Sequence, residues 1–122
     1  MDIKQKSVGD VEVLFISGEI DLYNAPEIKK IMHMLIGEGK LKVAVDFNEV
    51  TYIDSSGIGA MISSMSNLKK NGGALVIMNL HHSVRKVFEL TKLTSFFKIF
   101  DSEEEAIRSF NVERNLEGRQ NV

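Results

Sequence analysis

The feature that most restricts the fold is the alternation of short apolar segments with segments of helical periodicity. The apolar segments are rich in β-branched residues, which is typical of buried strands, and they cover residues 11–16, 41–47, 74–78 and 97–100. A pattern with helical spacing of apolar residues follows each of them, and each pattern begins near a residue that is predicted to cap a helix: Asn24, Asp54, Ser83 and Ser102. Because strand–helix–strand units bring parallel strands side by side, this order predicts an α/β fold.

One further strand precedes the alternation. Residues 3–7 can pair with residues 11–16 across Val8-Gly9-Asp10, which predicts an antiparallel hairpin. The sheet should therefore be mixed and mainly parallel, with four to five strands. The length of 122 residues fits a single domain over residues 1–110, with a last helix through Phe110. Residues 111–122 are polar and are predicted to form a mobile tail.

Composition and charge exclude several classes of function. The chain has no cysteine, so it can hold neither a disulfide nor a thiolate metal site. A net charge of −2 gives no electrostatic reason to expect a nucleic-acid partner. No apolar run is long enough to span a membrane, and the first residues do not resemble a secretion signal. We therefore expect a cytoplasmic protein that binds neither nucleic acid nor membrane.

The most unusual stretch of the sequence is Asp54-Ser55-Ser56-Gly57, at the start of the second helical pattern. Aspartate and serine oxygens cap the free amides of a helix N-terminus, but one such residue is enough. A helix N-terminus also favours negative charge, so a phosphate carried on a serine there is stabilised. This stretch is therefore a candidate for serine phosphorylation.

Two glycines in the same stretch oppose helix formation. Gly57 and Gly59 each weaken a helix interior by about 1 kcal/mol relative to alanine. Such a cost predicts a close approach to the backbone, either by a packed strand or by a partner protein, and we favour packing slightly.

Catalytic and cofactor interpretations have weaker support. The chain has no phosphate-binding loop or complete dinucleotide fingerprint, and no nucleophile elbow surrounds either serine. The side chains of the adjacent His81 and His82 are expected to point apart, so the pair predicts no metal site. Asp21, Asp46 and Asp54 would suit Mg²⁺ if their loops met, but we favour local roles, in which Asp46 ends a strand and Asp21 stabilises a turn. No cofactor, metal or catalytic residue is predicted.

Several stretches, taken in order, resemble the STAS domain of bacterial anti-sigma factor antagonists. Each occurs in the right order between strands and helices, and the resemblance covers about residues 3–110. The stretches are Ser17-Gly18-Glu19-Ile20-Asp21, Val45-Asp46-Phe47, Val50, Tyr52-Ile53-Asp54-Ser55-Ser56-Gly57-Ile58-Gly59, Lys70-Asn71-Gly72-Gly73 and Val84-Arg85-Lys86-Val87-Phe88-Glu89-Leu90-Thr91. The resemblance implies a single STAS-type domain, whose helices pack mainly on one face of the mixed sheet.

The resemblance also implies a switch and not an enzyme. Family members bind an anti-sigma factor that is itself a GHKL-type serine kinase, and binding releases the sigma factor. The kinase phosphorylates the serine after the aspartate, here Ser55 with Ser56 as second choice, and a PP2C-like phosphatase reverses the modification. Phosphorylation is expected to switch binding off. The residues expected to contact the partner lie in the loop before the first helix and at the start of the second helix: Asp21, Tyr23, Asn24, Asp54, Ser55, Ser56, Gly57, Ile58 and Gly59.

Three alternatives stay open. One is a ligand-binding domain, against which the lack of tryptophan and of an obvious aromatic cage is only weak evidence, because pockets form from residues far apart in the sequence. The same fold occurs in accessory or scaffold subunits of transporters and signalling assemblies. A small hydrolase using Ser55 or Ser56 is the less favoured alternative, because it needs a base within hydrogen-bond reach. As to assembly, we expect a monomer or a weak dimer.

Overall fold

The predicted mixed sheet is confirmed by a computed structural model, which describes the backbone of residues 1–120 and the side chains of residues 1–111. Five strands lie in the order β1-β2-β3-β4-β5, and four helices accompany them. In chain order the elements are β1 (Asp2–Val8), β2 (Val11–Ile20), α1 (Ala25–Gly37), β3 (Lys42–Ile53), α2 (Ser55–Lys70), β4 (Ala74–Met78), α3 (His82–Leu90), β5 (Lys98–Phe100) and α4 (Glu103–Gln120).

The first two strands form the predicted antiparallel hairpin, and all later pairings are parallel. The hairpin turns at Gly9, whose φ of +61° is a conformation that glycine adopts without strain. Because strand order advances in one direction across the sheet, right-handed crossovers place α1, α2 and α3 on the same face. This confirms that the helices pack mainly on one face.

The sheet separates two apolar cores. On the three-helix face, the side chains of the central strands pack with Ile28, Met32, Met61 and Phe88. On the other face, Val13, Ala44 and Val76 pack against Ala106 and Phe110 of α4. No helix within the described residues is both long enough and apolar enough to cross a membrane.

The two central strands are longer than the sequence predicts. β2 continues to Ile20 and β3 to Ile53, where the predicted strands end at residues 16 and 47. The extensions pair with each other in parallel, with Glu19 beside Tyr52 and Ile20 beside Ile53. They carry the loop after β2 and the start of α2 to the same edge of the sheet.

The last helix also runs further than predicted. α4 continues to Gln120, whereas the sequence predicts an end at Phe110. The polar composition of residues 111–122 indicates that they have little apolar surface to bury, but polar residues can still form a helix. Residues 111–117 contain neither proline nor glycine, the two residues that most disfavour a helix. The division of the chain at residue 110 stays a prediction, and residues 121–122 of the predicted tail lie outside the described residues.

A buried carboxylate on β2 stabilises the hairpin by hydrogen bonds to side chains of β1. Glu12 on β2 is only 4% exposed, and its oxygens accept hydrogen bonds from Ser7 Oγ at 2.7 Å and Gln5 Nε2 at 2.9 Å. Burial raises the pKa of Glu12, but these two hydrogen bonds and the positive charge of Lys40 outweigh it. The pKa therefore lies below its ordinary value, which means that folding favours the ionised form.

Replacing Glu12 with glutamine should lower the free energy of unfolding by about 1–2 kcal/mol at pH 7, because charge-assisted hydrogen bonds are lost. Because the pKa of Glu12 is lower in the folded chain than in the unfolded chain, ionised Glu12 stabilises the fold at pH values above the unfolded-state pKa of about 4.3. This stabilisation is lost as the pH falls through the folded-state pKa of Glu12. Urea unfolding at pH 7 and pH 3 should show the difference from wild type shrinking at low pH. A difference that is equal at both pH values would contradict the assignment. The exposed Glu19→Gln change, as control, should shift the unfolding free energy by less than about 0.5 kcal/mol.

Candidate functional site

The start of α2 and the loop after β2 are joined by the side chain of Asp54. Its Oδ1 accepts a hydrogen bond from Gly57 N–H at 3.0 Å, which caps the helix. Its Oδ2 accepts from Leu22 N–H at 3.2 Å, and its own N–H donates to the Ile20 carbonyl at 3.1 Å. One residue therefore caps α2 and holds the neighbouring loop against it.

The loop after β2 is a tight turn organised by Asp21 and Asn24. Asp21 Oδ1 accepts from Tyr23 N–H at 2.9 Å and from Asn24 N–H at 3.2 Å. Asn24 Oδ1 accepts from Asp21 N–H at 2.8 Å, and Asn24 Nδ2 donates to the Glu19 carbonyl at 2.7 Å. Asn24 stands at the N-cap position of α1, as predicted, but its side chain does not cap that helix. Its side chain is used in the turn instead.

The two candidate serines differ in accessibility. Ser55, the first residue of α2, is exposed, whereas Ser56 is half-buried. Within the described part of the chain, no hydrogen bond joins either hydroxyl to a histidine or another base. The geometry suits modification of Ser55 by another protein and gives no support to a serine hydrolase.

Gly57 and Gly59 occupy different environments. Gly57 is buried, and a Cβ atom there would lie 2.7 Å from Ile20 Cγ2 and 2.7 Å from Ile53 Cγ1. The close approach predicted at this position is therefore made by the two extended strands. Gly59 is exposed, and a Cβ atom there would meet nothing within 4 Å. The prediction that another part of the fold packs closely against the backbone is wrong for Gly59, because its Cα faces outwards.

Large apolar side chains surround this polar edge. Tyr23 is 89% exposed and Leu22 is 64% exposed in the loop after β2, and Tyr52 at the end of β3 is 50% exposed. Sequence reasoning singled out Tyr23 as a contact residue but missed Leu22 and Tyr52. Leu22 carried a signal, because it adjoins Tyr23 in a turn. Tyr52 carried none, because strand alternation places it on the same face as the buried Val50. We call Leu22, Tyr23, Tyr52 and Ser55 the switch face.

The three aspartates do not meet around a common point. Asp21 and Asp54 bind the backbone amides described above, and Asp46 accepts from Asn48 N–H at 2.8 Å and Asn79 Nδ2 at 3.2 Å. The local roles favoured for them are confirmed, except that Asp46 lies within β3 and does not end it. Among the residues that the structure describes, no group of three or more candidate ligands could hold a metal ion.

The expected geometry of the histidine pair is wrong. The rings of His81 and His82 are in edge-to-face contact, with centroids 4.3 Å apart. His82 has a φ of +55°, which turns the backbone so that both rings lie on one side. The N-cap position of α3 is His81 and not the predicted Ser83, and the His81 side chain forms no capping hydrogen bond. His81 Nε2 lies 3.0 Å from the Asn48 carbonyl, so this ring anchors the loop after β4 to β3.

Comparison with known proteins places this arrangement in a family. The family model described as STAS domain matches residues 2–106. An anti-sigma-B factor antagonist of Bacillus subtilis (strain 168) is 32% identical over 99 residues, which cover 81% of this chain and 88% of the relative.

Solved structures agree with this match. The Thermotoga maritima protein TM1081 has a TM-score of 0.82 and 27% identity, and the alignment covers 88% of this chain and 92% of that one. The Bacillus protein SpoIIAA, an anti-sigma factor antagonist, has been solved in unphosphorylated and phosphorylated forms. Each form has a TM-score of 0.71 and 25% identity, covering 90% and 89% of this chain and 98% and 99% of SpoIIAA. The resemblance deduced from the sequence is confirmed, and the chain belongs to the STAS domain family, among its anti-sigma factor antagonists.

Proposed function

We propose that the switch face binds an anti-sigma factor while Ser55 is unmodified, and that phosphorylation of Ser55 abolishes this binding. The observation that carries the proposal is the exposure of Ser55 at a helix N-terminus, beside Leu22 and Tyr23, which project into solvent. Exposed aromatic side chains at the centre of an interface commonly dominate binding energy. A partner that covers Tyr23 would also cover the Ser55 hydroxyl.

Electrostatics explain why a phosphate would act as a switch. Asp21 and Asp54 flank Ser55, and neither forms an ion pair with another described residue. A phosphoserine adds about −1.5 to −2 charges to this already negative edge. A partner surface fitted to the unmodified edge would then have to bury a poorly compensated charge, and this costs several kcal/mol.

The resemblance to anti-sigma factor antagonists suggests what the partners are. In line with it, the anti-sigma factor that binds the switch face is itself a serine kinase of the GHKL type and modifies Ser55. A phosphatase of the PP2C type restores the binding form. The chain itself has a regulatory and not a catalytic role, and this role implies a cytoplasmic location. The observed fold of SpoIIAA in both phosphorylation states supports the proposal, because this chain shares that fold.

Phosphorylation by the partner should occur at Ser55 alone. Immobilised unphosphorylated protein should recover an anti-sigma factor from an extract of the native cell. When the recovered factor is incubated with the chain and Mg-ATP, mass spectrometry should locate one phosphate on Ser55. Ser55→Ala should remain unmodified, whereas Ser56→Ala, the matched control on the same turn, should be phosphorylated like wild type.

Two results would overturn this proposal. Phosphorylation of Ser55→Ala to the wild-type extent would show that the acceptor lies elsewhere. Recovery of a membrane transporter in place of an anti-sigma factor would instead support the role of an accessory subunit.

A further inference from the structure

A cavity of about 240 Å³ lies beside the first half of β4, at the end of α2 that is remote from Ser55. Its walls are mainly apolar side chains that are themselves buried in the fold: Met65, Leu75, Val76, Phe97 and Phe110. Phe96, which also lines the cavity, is 46% exposed. The cavity is therefore an apolar space with access to solvent, and it is separate from the switch face.

The cavity exists because β5 is too short to cover β4. β5 pairs only with Val76, Ile77 and Met78, so Ala74 and Leu75 have no strand beside them on that side. Met65 and Phe97 belong to the core on the three-helix face, and Val76 and Phe110 belong to the core under α4. The cavity thus lies where the two cores approach each other around the end of the sheet.

The polar groups around the cavity offer positive charge and few other hydrogen-bond donors. Ser95 Oγ already donates to the Lys92 carbonyl at 2.9 Å, and Ser109 Oγ donates to the Ala106 carbonyl at 2.6 Å. Lys69 and Lys98, which both line the cavity, each carry an ammonium group. Lys98 has an interaction of its own within the chain, whereas Lys69 is exposed and forms no ion pair with another described residue.

We propose that this cavity binds a small amphipathic carboxylate of the medium-chain fatty acid class. A volume of about 240 Å³ equals about eight water-sized units, which fits an alkyl chain of roughly eight carbons and excludes a nucleotide. The alkyl chain lies among Met65, Leu75 and Phe97 and is driven there by the hydrophobic effect. The carboxylate lies at the opening, where it accepts charge-assisted hydrogen bonds from Lys69 Nζ.

The position of the cavity makes binding independent of the switch. α2 has 16 residues and is therefore about 24 Å long. Ser55 is its first residue, whereas Met65 and Lys69 lie in its last turns. A ligand in the cavity consequently leaves the switch face open, and the proposal stands or falls separately from the proposed function.

Sodium octanoate is the probe that tests this site. Titration of the full chain at pH 7, followed by methyl NMR spectra, should show saturable shifts of the Met65, Leu75 and Val76 methyl groups with a Kd of about 1 mM or below. Lys69→Glu should weaken binding at least tenfold. Lys70→Glu is the matched control, since it makes the same charge change on the next residue, which does not line the cavity.

Any of three results would overturn the proposal that the cavity binds a medium-chain carboxylate. Octanoate shifts that do not saturate by about 10 mM, or that spread over surface methyl groups, would show that the cavity is not a binding site. If Lys69→Glu and Lys70→Glu weakened octanoate binding equally, the affinity would depend on the overall charge of the chain and not on the position of Lys69. Binding of neutral 1-octanol as tightly as octanoate would remove the assignment of a carboxylate.

Discussion

Phosphorylation of Ser55 should weaken binding of the chain to its anti-sigma factor by about a hundredfold. A penalty of about 3 kcal/mol, typical of an uncompensated charge in an interface, corresponds to this factor. The phosphate would stand beside the Asp54 carboxylate, on an edge where Asp21 adds a further negative charge. Titration calorimetry with the homogeneously phosphorylated and unmodified proteins measures the ratio of the two affinities.

The loss of binding should come from the interface and not from unfolding. A negative group at the first residue of α2 interacts favourably with the helix dipole, so the melting temperature should stay equal or rise. Ser55→Glu should reproduce part of the effect and lower affinity at least tenfold. Ser66→Glu places the same charge on the same helix, eleven residues further from its start, and should leave affinity unchanged. Equal losses for both variants would show that the position of the charge is irrelevant.

Gly57→Ala should lower the free energy of unfolding by about 2 kcal/mol. The new methyl group would lie 2.7 Å from Ile20 Cγ2 and Ile53 Cγ1, and 3.0 Å from the Ile20 carbonyl oxygen. That carbonyl accepts the Asp54 N–H, so the clash cannot be relieved without moving the start of α2. Thermal unfolding should show a decrease of roughly 8 °C in Tm.

Gly59→Ala provides the matched control for that experiment. It makes the same substitution two residues further along the helix, where the added methyl group meets nothing within 4 Å. Replacing glycine in a helix should then raise the free energy of unfolding by about 0.5–1 kcal/mol. If the free energy of unfolding of Gly57→Ala is as high as that of Gly59→Ala, then α2 does not pack tightly against β2 and β3 at this position.

The order of the elements could be predicted from the sequence because it depends on local periodicity. The apolar runs and the helical spacing after Asp54 identify strands and helices without knowledge of tertiary contacts. Parallel pairing and the placement of three helices on one face follow from that order and the handedness of crossovers. These features of the fold are confirmed.

The extent of the central strands could not be predicted, because it depends on pairing between distant residues. The residues Ser17-Gly18-Glu19 have the composition of a turn, and they form a strand because residues 49–52 of β3 pair with them, with Asp2 of β1 on the other side of Ser17. The same holds for Asn24, whose local pattern predicts a helix cap. Tertiary context directs its side chain to Asp21 and Glu19 instead.

The candidate site was predictable in part for the same reason. The cap formed by Asp54 is a local feature and was expected at the start of α2. Its second hydrogen bond, to Leu22, connects residues that are far apart in the chain and leaves no signal in the sequence. The distinction between the buried Gly57 and the exposed Gly59 likewise appears only when the strands are in place.

The most direct measurement follows one reaction mixture over time. The complex of this chain with its anti-sigma factor is supplied with Mg-ATP, and each sample is divided between mass spectrometry of Ser55 and quantification of the intact complex. The fraction of intact complex should fall in step with the phosphorylated fraction of Ser55 and recover when the phosphate is removed. An intact complex that persists after Ser55 is fully phosphorylated would contradict the account.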